Sequence, residues 1–212
     1  MKYPIHLENR DLIGKRLVSP TSERNRTPIG EHLAKLLPQN AQVLEIAAGT
    51  GQHAHHMCGL RTDICWQPTD IDPDSLLSQA AYAQDFPERI LDPVELNVTH
   101  PEWWSGFENS TTLFCANMIH IAPWNAAQGL ARGAGHLLRQ GGKMFLYGPF
   151  LLETDNADSN LEFDSNLKAR NPEWGVRSLD AVKHIFADQG LNLEAIIEMP
   201  RNNLLLKFAT SS

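Results

Sequence analysis

An α/β fold is predicted, a doubly wound and mostly parallel sheet of seven strands with one antiparallel strand in a C-terminal hairpin. Three observations predict it. Strand-like apolar runs alternate five times with helical patterns between residues 42 and 190. Residues 43–53, VLEIAAGTGQH, read as a strand, a turn of small residues and the start of a helix. The tail holds two apolar runs, 191–199 and 204–208, separated only by Pro200-Arg201-Asn202-Asn203. That gap is too short for a crossover helix, so the two runs pair antiparallel.

Each element follows from local chemistry. Residues 28–37 place Ile29, Leu33, Leu36 and Leu37 on one helical face, with Pro28 in the first turn, where a missing N–H breaks no helical bond. Residues 42–47 form the first strand, and the next helix opens at Gly51. Residues 64–69 form the second strand, after which Asp72 caps a helix whose first position is Pro73. Strands three, four and five are expected over 94–98, 111–117 and 143–148. A long amphipathic helix over 122–139 stops at Gly141-Gly142, and another over 178–189 ends at Gly190. Residues 150–176 are polar and lie beyond the carboxyl end of strand five, where such sheets bind ligands; they are read as a candidate substrate lid. Residues 1–40 form an N-terminal cap segment and helix within a single domain, 1–212.

Composition narrows the function. A chain of 212 residues buries a full core without staples. The net charge of -7 and the lack of any basic run argue against nucleic acid as a partner. Cys58, Cys65 and Cys115 are odd in number and show no paired spacing, as expected of thiols packed in a reducing compartment. The opening MKYPIHLENRDLIGKR lacks the hydrophobic block of a signal peptide, and no apolar run approaches the roughly 20 residues that cross a bilayer. The expectation is a cytoplasmic protein, monomer or homodimer, with no membrane partner and a small-molecule substrate.

The chemistry concentrates at the turn after strand one. Small residues let a ligand press against bare backbone, and the helix beyond presents free N–H groups and a positive dipole end. Asp70 follows Gly51 by nineteen residues at the end of the second strand. An α/β nucleotide fold places a ribose-binding carboxylate at that spacing, so the chain is expected to bind a nucleoside-bearing cofactor. A dinucleotide fits less well, because His53 and Ala54 stand where GxGxxG continues.

The run from Glu45 to Gly51, E-x-A-x-G-x-G, resembles the first motif of class I S-adenosylmethionine-dependent methyltransferases, with Ala47 where a glycine is usual. A negative φ would accommodate that alanine. PTDIDPDSL resembles the second motif, and LNVTHPEWW the segment after strand three, with Asn97 in place of a more usual Asp. CANMIHIAPW and GGKMFLYGPF resemble the stretches around strands four and five. SERNRTPI, NMIHIAPW, YGPF, SNLEFDSNLKARNPEWGVR and MPRNN together are similar to a small methyltransferase-like family, a domain of unknown function found in bacteria and animals. The likeness runs from about residue 22 to residue 208.

That resemblance implies S-adenosyl-L-methionine as cofactor, contacted by Glu45, Ala47, Gly49, Thr50, Gly51, Asp70, Ile71, Asn97, Val98, Asn117 and Met118. Glu45 would orient the methionine amino group, Asp70 would accept from the ribose hydroxyls, and Asn97 and Val98 would meet adenine. Glu45 is also readable as a loop-capping carboxylate. Asp70 is also readable as a helix cap, though Asp72 fits that role better. His120 is the candidate catalytic residue, either a general base or a hydrogen-bonding group that fixes its loop. Arg24, Asn25, His53, Tyr147, Asn160, Asp164 and Arg170 are candidate substrate contacts, the arginines favouring an acidic or zwitterionic acceptor. His53, His55 and His56 lack further ligands at zinc spacing, and no metal is expected. Two other functions stay open: a non-catalytic cofactor-binding or scaffolding protein of the same fold, and a nicotinamide-dependent reductase.

Overall fold

The computed structural model describes residues 7–139 and 141–210; residues 1–6, the start of the N-terminal cap segment, lie outside the described residues. The chain divides into two units, Met1–Asn97 with Ser110–Phe114, and Val98–Asn109 with Cys115–Ser212.

The first unit opens with an antiparallel hairpin, β1 (Asp11–Ile13) on β2 (Arg16–Val18), which turns through Gly14 at φ +63°. Helix α1 (Pro20–Leu36) starts where Ser19 Oγ accepts the Ser22 N–H and Pro20 takes the first turn. Then come β3 (Gln42–Ile46), α2 (Gln52–Leu60), β4 (Cys65–Asp70), α3 (Pro73–Ala83) and β5 (Val94–Glu95). The strand order is β5-β4-β3, followed by β6 (Thr112–Ala116), whose first three residues belong here. β3 runs parallel to β4, and β4 to β5. Four of the five β3 residues are buried, as expected of a parallel strand covered on both faces. Beside it the Trp66 and Phe114 rings meet edge-on at 5.9 Å.

The second unit takes the end of β6 and continues with α4 (Trp124–Leu137), β7 (Lys143–Leu151), α5 (Asp158–Arg170), β8 (Arg177–Ser178), α6 (Leu179–Ala187), β9 (Leu191–Met199) and β10 (Asn203–Thr210). Its order is β6-β7-β10-β9, with β8 parallel to the end of β7. β10 is antiparallel to both neighbours and follows β9 through the short turn at Pro200–Asn202, which is the reversed strand and hairpin expected from the tail. Helix α4 lies close on residues 98–103. A Cβ at Gly129 would come within 2.0 Å of the Val98 carbonyl oxygen, and one at Gly133 within 2.0 Å of the Trp103 ring. Phe186 of α6 stacks on Phe208 of β10 at 4.5 Å.

The fold is α/β, mostly parallel, with a C-terminal antiparallel strand. Several boundaries differ from expectation for physical reasons. α1 begins at residue 20 and not at 28, because Ser19 and Pro20 supply a start that apolar spacing does not reveal; Pro28 lies inside the helix. β5 keeps two residues of the expected five, although the Leu96 N–H still bonds the Asp70 carbonyl at 3.0 Å. The expected lid contains helix α5, whose buried residues are Asn160, Asp164 and Leu167. Two of those three are polar, so hydrophobic periodicity passes over the helix.

Candidate functional site

In the first unit β3 ends at Ile46 and the chain turns over five residues into α2. Ala47, Gly49 and Gly51 all adopt left-handed backbone, with φ of +55°, +57° and +92°. The negative φ that would have made Ala47 unremarkable is absent. An alanine in this region carries about 1–2 kcal/mol of strain, held in place by the surrounding bonds. Those bonds are numerous. The Ala48 N–H donates to the Thr69 carbonyl at 2.8 Å, and the Gly51 N–H to the Ala48 carbonyl at 3.2 Å. From α3, Gln79 Nε2 donates to the Gly49 carbonyl at 2.9 Å and Ser78 Oγ to the Thr50 carbonyl at 2.7 Å. At Gly51 a Cβ would lie 3.1 Å from the Gln79 Cα, so glycine is required there twice over.

Asp70 closes β4 beside this turn. Its Oδ2 accepts the Gly49 N–H at 2.8 Å and its Oδ1 accepts the Asp72 N–H at 3.0 Å. Each oxygen thus keeps acceptor capacity for one more donor. Burial raises the Asp70 pKa, while the two amides and Arg10 work in the other direction. Asp72 caps α3, accepting the Ser75 N–H at 3.2 Å, which leaves Asp70 outside the helix and its carboxylate on the turn. Ile71, directly after it, exposes 44% of its surface. Glu45 is fully buried and accepts the Trp66 indole N–H at 2.7 Å. Burial lifts its pKa from 4.5 to about 8, with the nearby Asp70 charge adding to the rise.

The other expected residues of this unit are distributed as follows. His53 sits buried in the first turn of α2, edge-on to Phe114 at 5.7 Å, and burial lowers its pKa to about 4. Asn25 is buried on α1, whereas Arg24 is exposed and donates to Thr21 Oγ1 at 2.9 Å. His55 pairs with Asp85 at 2.8 Å and His56 packs against Gly30, so the three histidines are employed separately. Among the described residues no three His, Cys, Asp or Glu side chains are grouped to hold a metal ion.

The second unit holds its own polar cluster. Asn117 leaves β6 at φ +57° and donates its N–H to the Tyr147 carbonyl at 2.9 Å. The Asn117 and His120 side chains both border Gly148, 3.6 and 3.5 Å from where its Cβ would stand. His120 is 3% exposed and lies edge-on to Phe163 at 5.6 Å; burial, with the Arg177 charge, lowers its pKa to about 3. Its carbonyl accepts the Gly175 N–H at 3.0 Å. Arg177 donates to the carbonyls of Ile119 and Ala122, at 2.9 and 2.6 Å, and so clamps the loop on both sides of His120. Asp164 accepts from the Val176 N–H at 2.9 Å and from Lys168 Nζ at 2.6 Å, and Asn160 donates to the Asn202 carbonyl at 3.0 Å. Those two side chains thus tie α5 to its neighbours, while Arg170 is exposed at the helix end. Tyr147, Met118 and Val98 are buried.

Sequence reasoning missed Ser78, Gln79, Arg10 and Arg177. For the first two the available signal was a polar pair on the buried face of α3. For Arg177 it was its place at the end of the NPEWGVR motif.

A family model described as "Protein of unknown function (DUF938)" matches residues 16–210. The chain belongs to that family. The DUF938 chain is also similar in fold to an O-methyltransferase family protein from Burkholderia thailandensis, with a TM-score of 0.77 at 15% identity over 90% of this chain and 57% of that one. An O-methyltransferase family 2 protein from Planctomyces limnophilus, solved with apigenin, gives a TM-score of 0.71 at 15% identity over 90% and 60%. Human N-acetylserotonin methyltransferase, solved with S-adenosylmethionine, gives 0.68 at 15% identity over 86% and 52%. The DUF938 chain spans between 52% and 60% of these three proteins. At such identity the likeness is one of fold alone. Among the described residues no helix is long and apolar enough to cross a membrane.

Proposed function

We propose that this DUF938 chain is an S-adenosyl-L-methionine-dependent methyltransferase acting on a small, acidic or zwitterionic acceptor. One observation carries the reading: Asp70 stands at the end of β4 with each oxygen bonded once to backbone and able to accept once more, beside a turn strained into left-handed backbone at Ala47. A vicinal diol is a matching donor pair for such a carboxylate. The turn fits the rest of a sulfonium nucleoside. Gly49 has open space on its Cβ side apart from Arg10, and the exposed Ile71 offers an apolar edge to a planar base. Ala47 retains the turn conformation usual for glycine, which favours a kept cofactor pocket over a decayed one.

When bound, the cofactor supplies a methyl group on a cationic sulfur, and its transfer is an in-line displacement that depends chiefly on alignment. The residues of the chain then divide the work. Asp70 fixes the ribose, and the braced turn holds the cofactor's approach without reorganising. Glu45 supplies a carboxyl that a nearby cation would draw into its charged form. His120 is neutral at pH 7 and too weakly basic for a general base, so it serves as a hydrogen-bonding, orienting group positioned by Arg177. Arg24 and Arg170, both exposed, are the candidate partners for an acidic acceptor.

The test is calorimetric titration of the wild type, Asp70→Asn and Asp70→Ala with S-adenosylhomocysteine. Binding to the wild type and a loss of about 10- to 100-fold in the variants is expected, as for removal of charge-assisted hydrogen bonds. An equal affinity in all three, or no binding to the wild type, overturns the reading. Transfer of labelled methyl to pooled small acids then separates an enzyme from a binding protein.

A further inference from the structure

Arg10 precedes the β1–β2 hairpin and reaches back over the turn. Its Nη1 donates to Ser75 Oγ at 2.8 Å and lies 3.4 Å from Asp72 Oδ2. Its Nη2 stands 3.8 Å from where a Cβ on Gly49 would be, and apart from Gly49 and its two chain neighbours no other heavy atom of the described residues comes within 4 Å of that point. Among the described residues neither Nη2 nor Nε has a hydrogen-bond partner. Of the remaining arginines of this unit, Arg16 is paired with Asp85, Arg26 with Glu23, Arg61 with Asp63 and Arg89 with the carbonyls of Cys58 and Arg61, while Arg24 is exposed on α1 and bonds Thr21. The other ionisable groups around the turn are the carboxylic acids Glu45, Asp70 and Asp72, and His53, whose pKa burial lowers to about 4. A zwitterionic ligand brings a carboxylate that none of them accommodates.

We infer that Arg10 is a cofactor-binding residue that grips the carboxylate of the cofactor's amino-acid end through Nη2 and Nε, the donors that Ser75 and Asp72 leave uncommitted. The inference rests on the cofactor reading above. An arginine fork matches a carboxylate with two parallel bonds, and Nη2, which faces Gly49, is uncommitted.

Two ligands separate the possibilities: S-adenosylhomocysteine, and 5′-methylthioadenosine, which has the nucleoside and sulfur without the amino acid. Calorimetry with Arg10→Ala is expected to show S-adenosylhomocysteine weakened about tenfold or more and 5′-methylthioadenosine nearly unchanged. Arg10→Lys, which keeps charge but not the fork, is expected to fall between, and serves also if the alanine variant melts early. Equal losses for both ligands would make Arg10 a structural latch and overturn the inference, as would no loss for either. Wild type that binds neither ligand removes the cofactor reading and this inference with it. Wild type that binds both, with Arg10→Ala unaffected, overturns this inference alone.

Discussion

Replacing Glu45 by glutamine is expected to stabilise the folded protein increasingly as pH rises and to weaken its hold on a cationic ligand. The carboxyl is buried and accepts the Trp66 indole N–H at 2.7 Å, and burial lifts its pKa from 4.5 to about 8. A raised folded pKa means that the folded chain keeps a proton that the unfolded chain releases above pH 4.5. The stability from this group is therefore complete below pH 4.5 and drains away as pH rises through 8. At about 1.4 kcal/mol per pH unit, the loss reaches about 3 kcal/mol at pH 7. Glutamine keeps an oxygen for Trp66 and has no charge to bury. The difference between variant and wild type thus grows from near zero at pH 4.5 to about 3 kcal/mol at pH 7, or roughly 6–12 °C in Tm for a chain of this size. Urea unfolding of both proteins at pH 5, 6, 7 and 8 measures it. Comparing the pair at each pH cancels the opposite slope of His53 and His120, whose lowered pKa values, about 4 and about 3, make stability rise with pH up to 6.5. A difference that stays constant with pH, or a variant less stable at pH 8, would refute the reasoning.

Gly51→Ala combines a φ of +92° with a Cβ 3.1 Å from the Gln79 backbone, and is expected to lose about 2 kcal/mol in urea unfolding. No loss there would contradict the turn geometry. Ala47→Gly runs the other way: relief of left-handed strain outweighs the added freedom of the unfolded chain, so stability holds or rises by up to about 1 kcal/mol, and a loss of that size argues against the assigned φ. If methyl transfer is found, its kcat/KM should show no limb near pH 6.5 that His120→Gln removes, because the His120 pKa is held at about 3. Such a limb would restore the general-base role.

The strand–turn–helix at 43–53 was legible because three signals agree there: buried apolar strand, small turn residues and a helix start. The C-terminal hairpin was legible from the length of its connection alone. Helix α5 was not, since Asn160 and Asp164 occupy two of its three buried positions and hydrogen-bond to the Asn202 carbonyl and the Val176 N–H. The first eight residues of α1 are nearly all polar, and their helical state depends on the Ser19 cap and a network with Gln52 and Glu23. Ala47 was legible as a position and not as a conformation: only the bracing by Thr69, Ser78 and Gln79, far along the chain, forces its positive φ. Arg10 and Arg177 act through backbone carbonyls or across long separations, and neither leaves a local pattern.

The most direct test of the central claim is a crystal structure of the protein grown with S-adenosylhomocysteine. The account predicts the ribose hydroxyls on the two Asp70 oxygens, the nucleoside lying along residues 47–51, and unchanged left-handed backbone at Ala47. A nucleoside bound elsewhere, or an Asp70 carboxylate that touches no ligand atom, would contradict it.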